Sequence, residues 1–300
     1  MRYLALGMAL MGTGVTAEVP RVAVDIAPLH SIVAAVMGDL GTPALIVPPG
    51  GSPHDQALRP SQAAALDRAD LVVWMGNALT PWLEGPMDSL AGDAVVLELL
   101  DHPETQVLEV RTGASFAAHQ EDQAEEEARD EMDGVDQHAW LDPANAVVWA
   151  GVISAALAEI DPENAGVYSG NALEFVRSIR ILESEIEKTL APVKGRPFVV
   201  FHDAYHYFER RFDIEAVGAV SSNDAVAPSA ARLAGLRDEI ASYEAVCALT
   251  EPQFNPAILD ALGAARLGEV DPIGVSLTPG PDLYPQLLRN MAASLADCLD

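Results

Sequence analysis

Positive charge is scarce in this sequence. Seventeen lysines and arginines stand against 45 acidic residues, a formal net charge of -28 over 300 residues. Such a chain repels phosphate backbones and anionic bilayers, which excludes nucleic acid as an expected partner and makes cations the natural ligands. Long apolar runs are also missing: beyond the N-terminus no stretch approaches roughly 18 uncharged apolar residues, so no membrane insertion is expected. No glycine-rich nucleotide loop and no serine nucleophile elbow occurs, and no lipobox cysteine is present to tether the chain. Cysteine is limited to Cys247 and Cys298. In an oxidising compartment such a pair forms a bridge, closing a loop worth about 4 kcal/mol in the chain-entropy picture, with two buried thiols as the alternative.

Half of the residues are hydrophobic and 21% are charged, the balance of a globular protein long enough for two domains. Residues 1–17 have one early Arg, an apolar run from Tyr3 to Val15 and small residues before Glu18. That is the layout of a secretory signal peptide. From there short apolar runs alternate with helical patterns, the rhythm of βα units on a mostly parallel sheet. Strands are expected at 21–26, 44–47, 71–75 and from 93. Residues 112–136 break the rhythm: His119 to Asp136 hold nine carboxylates and one arginine, a solvated loop or a weak gatherer of cations. A helix over 145–160 and a second of about 28 residues from Pro162 to Leu190 follow; at 1.5 Å per residue the second is a strut between two halves. Strands at 198–201, 214–220, 245–250 and 267–270 then alternate with helices at 229–242, from Pro256, and at 282–299. The expected layout is an N-terminal βα lobe over 18–161, a linking helix over 162–192 and a C-terminal βα lobe over 193–300.

The stretch FVVFHDAYHYFERRF, 198–212, is the most informative. Four apolar residues deliver His202 at the end of a buried strand, where open α/β sheets bind their ligands. His54 sits on the loop PPGGSPHD, too rich in Pro and Gly for helix or strand, and His138 lies in QHAWLDP. Asp271, in DPIG, occupies a comparable position later in the chain. Three imidazoles with a carboxylate or water suit tetrahedral zinc. A competing reading takes His202-Asp203-Ala204-Tyr205-His206 as a metalloprotease motif, with Asp203 or Glu209 as base. It needs both histidines on one helix face and a glutamate where Asp203 stands. His30 is expected to be structural, in the first helix.

PLHSIVAAVMG, GGSPHDQALRPSQAAALDRADLVVWMG, QHAWLDP, FHDAYHYFERRF, TEPQFNP and DPIG, in this order, make the chain resemble the zinc-binding proteins of bacterial ABC importers. These are the ZnuA type of the metal-binding cluster of periplasmic solute-binding proteins. The resemblance implies two βα lobes with four-stranded sheets, joined by one long helix, with metal in the cleft between them. It implies His54, His138 and His202 as zinc ligands, Asp271 as the completing carboxylate, and a Cys247–Cys298 disulfide. It also implies a monomeric periplasmic protein, not an enzyme, that hands Zn2+ to a membrane permease. Manganese relatives carry a carboxylate where His202 stands. Manganese or iron binding, a zinc hydrolase and a surface adhesin are the alternatives. The acidic stretch, with only His119, departs from the histidine-rich loop common in this family.

Overall fold

The computed structural model describes residues 18–54, 56–111, 116, 134–221, 230–242, 244–253 and 266–300. The expected signal peptide, His119, most of the acidic stretch and the helix expected from Pro256 lie outside these residues. Two four-stranded sheets form the frame. The first contains β1 (Val22–Val24), β2 (Ala44–Leu45), β3 (Leu71–Trp74) and β4 (Val95–Glu98) in the order β2-β1-β3-β4. The second contains β5 (Phe198–His202), β6 (Ala216–Ser221), β7 (Cys247–Thr250) and β8 (Arg266–Glu269) in the order β6-β5-β7-β8. Every pairing is parallel. The halves thus share one topology although their sequences show no repeat. The central strands are apolar on both faces because helices cover both sides of a parallel sheet, as in Leu71–Trp74 and Phe198–His202, buried throughout.

Helices α1 (Ala27–Met37), α2 (Pro60–Asp67) and α3 (Glu84–Leu90) serve the first sheet, and α4 (Pro143–Ile160) follows the loop that carries His138. Then α5 runs over Ala165–Leu190, 26 residues and about 39 Å. Its buried residues Tyr168, Ala172, Phe175, Ile179, Leu182, Ile186 and Leu190 recur every three or four positions. That stripe packs on α1, α4 and the last helix. Proline at 162 opens a short 3-10 turn, so α5 starts three residues later than the pattern suggests. Helices α6 (His206–Phe212), α7 (Ala230–Ser242) and α8 (Leu283–Leu299) complete the chain.

One continuous core runs from Val22 through α1, α4 and α5 to Leu299, drawing on both sheets. The two halves are therefore packed on a shared spine. Ser31 Oγ on α1 donates to Pro281 O at 3.0 Å and accepts from Tyr284 N at 2.9 Å, joining the first helix to the last. Helix α4 is the one described helix long and apolar enough to cross a membrane, and half of it is buried inside the protein. It had not stood out as an apolar run because Asn145 and Glu159 interrupt it. Cys247 on β7 and Cys298 on α8 are joined in a disulfide, Cα to Cα 5.7 Å, which fastens the C-terminal helix to the second sheet. Gly268 on β8 lies beneath it, where a Cβ would come within 3.0 Å of Cys298 Sγ.

Candidate metal centre

In each sheet the chain leaves the first strand to one side and returns to the other, so a crevice opens at the carboxyl ends between β1 and β3 and between β5 and β7. His202 is the last residue of β5 and Glu251 directly follows β7, so the two flank the second crevice. His138 precedes a 3-10 turn, Ala139–Leu141, that ends where Asp142 caps α4 by accepting from Ala144 N at 2.8 Å. His54 arrives on the Pro-Gly loop after β2, pinned where Trp82 Nε1 donates to Pro53 O at 2.7 Å. His138 and His202 are buried and His54 is half-buried.

These three histidines converge: one ring nitrogen of each lies within 4.8 Å of the others. The inner pair is tighter, with His138 Nε2 and His202 Nε2 3.3 Å apart. Each of those rings has a buried carboxylate behind it. Asp136 Oδ1 is 2.8 Å from His138 Nδ1, and Glu251 Oε1 accepts from His202 Nδ1. Glu251 is fully buried and also accepts from Gln253 Nε2 at 2.7 Å. An ionised carboxylate can only accept, so it assigns the ring proton to Nδ1 and leaves Nε2 as a lone pair. The two Nε2 atoms face each other at 3.3 Å. Two nitrogens bound at about 2.0–2.1 Å to a tetrahedral zinc would be separated by about 3.3–3.4 Å. The pair has the edge length that the ion requires, and two carboxylate charges lie one imidazole away from a divalent cation.

Burial pushes the Asp136 carboxyl up, but its hydrogen bond with His138 and the His206 ring 3.6 Å away overcome this and bring it down to about 2. Burial, with Glu251 and Asp271 nearby, pushes the Tyr205 phenol well above its usual range beside the same site. The three histidines open on a cavity of about 250 Å³ whose walls include Gly50, Gly51, Trp140, Pro272 and Val275.

Asp271 is not brought into the converging group. Its Oδ1 accepts from Gly274 N at 2.8 Å and Ile273 N at 3.3 Å, and its Oδ2 from Ser276 N at 3.2 Å. The carboxylate thus shapes its own loop, and that loop is joined to the His138 turn where Trp140 Nε1 donates to Pro272 O at 2.8 Å. The metalloprotease pattern does not form. His202 ends a strand and His206 begins a helix, so they share no helical face. Asp203 and Glu209, the bases such an enzyme would use, are both spent on Arg111. His30 is buried in α1 with Nε2 3.0 Å from Pro43 O, a structural placement.

Glu251 and Asp136 were missed as site residues. Glu251 carries a readable signal, since it follows a four-residue apolar strand, where a sheet places its ligands. Asp136 was concealed among the acidic residues before it.

The family described as "Zinc-uptake complex component A periplasmic" matches residues 22–298. The high-affinity zinc uptake system protein ZnuA of Paracoccus denitrificans is 43% identical over 98% of this chain and 96% of its own length. That of Brucella abortus is 40% identical over 96% of this chain and 94% of its own. A crystal structure of ZnuA superposes with a TM-score of 0.76 over 94% of this chain and 99% of that one, at 23% identity. The solute-binding protein FpvC of Pseudomonas aeruginosa, in complex with Mn2+, gives 0.79 over 94% and 98%, at 20% identity. At these identities the two structures speak for the fold.

Proposed function

The chain belongs to the ZnuA family of periplasmic zinc-uptake proteins, and from that premise we propose that it binds Zn2+ with high affinity through His54, His138 and His202 and hands the ion to the membrane permease of an ABC importer. The protein is a binding component and not an enzyme, and zinc is its cargo. Residues 1–17 direct export and are removed, and the mature protein works as a monomer with lobes at 18–161 and 193–300. The observation that carries this reading is the 3.3 Å approach of His138 Nε2 and His202 Nε2, each ring backed by a buried carboxylate. Three neutral imidazoles favour zinc over manganese, which prefers oxygen donors. The fourth position is filled by water, or by Asp271 once its loop hydrogen bonds are given up.

The test is a competition titration of the metal-stripped mature protein with zinc and manganese against a chromophoric chelator, with His202→Ala beside it. One tight equivalent of zinc, weak manganese and loss of the site in the variant are expected. Manganese binding as tight as zinc, or a variant that binds zinc unchanged, would refute the assignment.

A further inference from the structure

His138 Nε2 and His202 Nε2 lie 3.3 Å apart, the spacing a tetrahedral ion needs, so whatever fixes the two segments that carry them sets the geometry of the site. His138 belongs to the first half of the chain and His202 to the second, and two arginines tie those segments together. Arg111, in the first half, sends Nε to both oxygens of Asp203 at 3.1 Å and Nη1 to Glu209 Oε2 at 2.7 Å. Asp203 is the neighbour of His202 in sequence, and Glu209 lies on α6. Arg211, on α6, returns the contact with its charge reversed. Its Nε and Nη2 reach the two oxygens of Asp142 at 2.7 Å each, and Asp142 lies four residues beyond His138.

Both contacts have the planar fork that lysine cannot supply. The first is shielded, with side-chain exposures of 13% for Arg111, 8% for Asp203 and 3% for Glu209, and the Phe116 ring lies 3.8 Å from the guanidinium. Burial works against the Arg111 cation, yet Glu209 and Asp203 raise it above its ordinary value, so it stays charged. Between the two clamps, Tyr207 Oη on α6 donates to Asp136 O at 2.7 Å and accepts from Leu108 N at 2.9 Å. The first half of the chain therefore grips α6 at Tyr207, Glu209 and Arg211.

We propose that Arg111 and Arg211 are positioning residues for zinc capture, two reciprocal clamps that hold the His138 and His202 segments in register across the two halves. This rests on the capture function proposed above. Neither arginine touches the ion. Their loss would release the inner pair from its tetrahedral spacing, at a cost of about 10- to 100-fold in affinity, the scale of outer-sphere changes around a metal.

The experiment measures zinc release into excess chelator and the ligand-field absorption of the Co2+-substituted mature protein. The variants are Arg111→Gln, Arg211→Gln and Arg211→Lys, with Arg289→Gln as control, since Arg289 pairs with exposed Glu185 on α5, away from the histidines. Faster release by about 10- to 100-fold in both glutamine variants with an altered cobalt spectrum, partial recovery in Arg211→Lys and no change in the control are expected. Folded glutamine variants with wild-type release and an unchanged cobalt spectrum would overturn the clamps. Because Arg111→Gln strands two buried carboxylates, Arg111→Gln/Glu209→Gln replaces it if the single variant does not fold, with the same expected and contrary results. Wild-type protein that fails to hold zinc tightly would instead count against the capture function itself.

Discussion

The three histidines are held in two different ways. His138 and His202 are buried, backed by Asp136 and Glu251, with their Nε2 atoms at the spacing of a tetrahedral shell. His54 is half-buried on a loop of prolines and glycines, where its N–H donates to Ser52 Oγ at 3.2 Å and Trp82 holds Pro53. The first arrangement is a pair of nitrogens fixed by buried partners; the second is a ligand carried on a more exposed loop. A binding protein that must also let go has use for both. On the capture function proposed above, the buried pair would supply most of the affinity and the more exposed His54 the route of release.

Replacement of one member of the rigid pair gives the largest expected effect. His202→Ala removes the single tight equivalent of zinc, whereas His54→Ala keeps a two-nitrogen site that still binds, more weakly than wild type. Calorimetric titration of both variants distinguishes them, and equal losses would break the contrast between pair and loop. Next come the carboxylates: Glu251→Gln and Asp136→Asn each weaken zinc by about 10- to 100-fold while the protein stays folded, measured by the same chelator competition. Trp82→Phe is milder. It deletes one hydrogen bond behind His54, worth about 1 kcal/mol, so release should quicken about fivefold with little change in the cobalt spectrum.

The smallest effect on zinc, and one that separates the lobes by their scaffolds, concerns Asp25. This residue follows β1, is buried, and accepts from Ile26 N at 2.8 Å and Met75 N at 2.9 Å, with no cationic side chain against it among the described residues. Burial raises its carboxyl to about 7 against those hydrogen bonds. Its folded value therefore exceeds its unfolded value near 3.9, so its contribution is complete below about pH 4 and is lost as pH rises through 7. Chemical denaturation of the metal-free protein should show a fall on the order of 2–4 kcal/mol across that window, flattened in Asp25→Asn. In the second lobe Asp203 is also raised by burial, but Arg111 partly offsets the shift. Its contribution to the same curve should be smaller.

Much of the fold is legible because parallel strands are short and apolar and are separated by helical patterns. All eight strands fall where apolar runs predict them, though most are shorter, as with Val22–Val24 against an expected 21–26, because pairing ends before hydrophobicity does. Asp203, Ala204 and Tyr205 separate β5 from α6, so the helix begins at His206 and His202 stays with its strand. His202 could be found from FVVFH alone, while His54 and His138 needed company to stand out from structural histidines. Contacts across the halves were not legible. Arg111 meets Asp203 92 residues away, and no local pattern names such a partner. Asp271, expected as the completing carboxylate, accepts from Gly274 N and Ser276 N within its own loop and lies outside the converging group.

The most direct measurement is X-ray absorption at the zinc edge of the mature protein loaded with one equivalent, compared with His54→Ala. The predicted shell has three imidazole nitrogens at about 2.0–2.1 Å and one further light donor, and the variant drops to two imidazoles. A shell dominated by carboxylate oxygens, or three imidazoles persisting in the variant, would contradict a centre built from His54, His138 and His202.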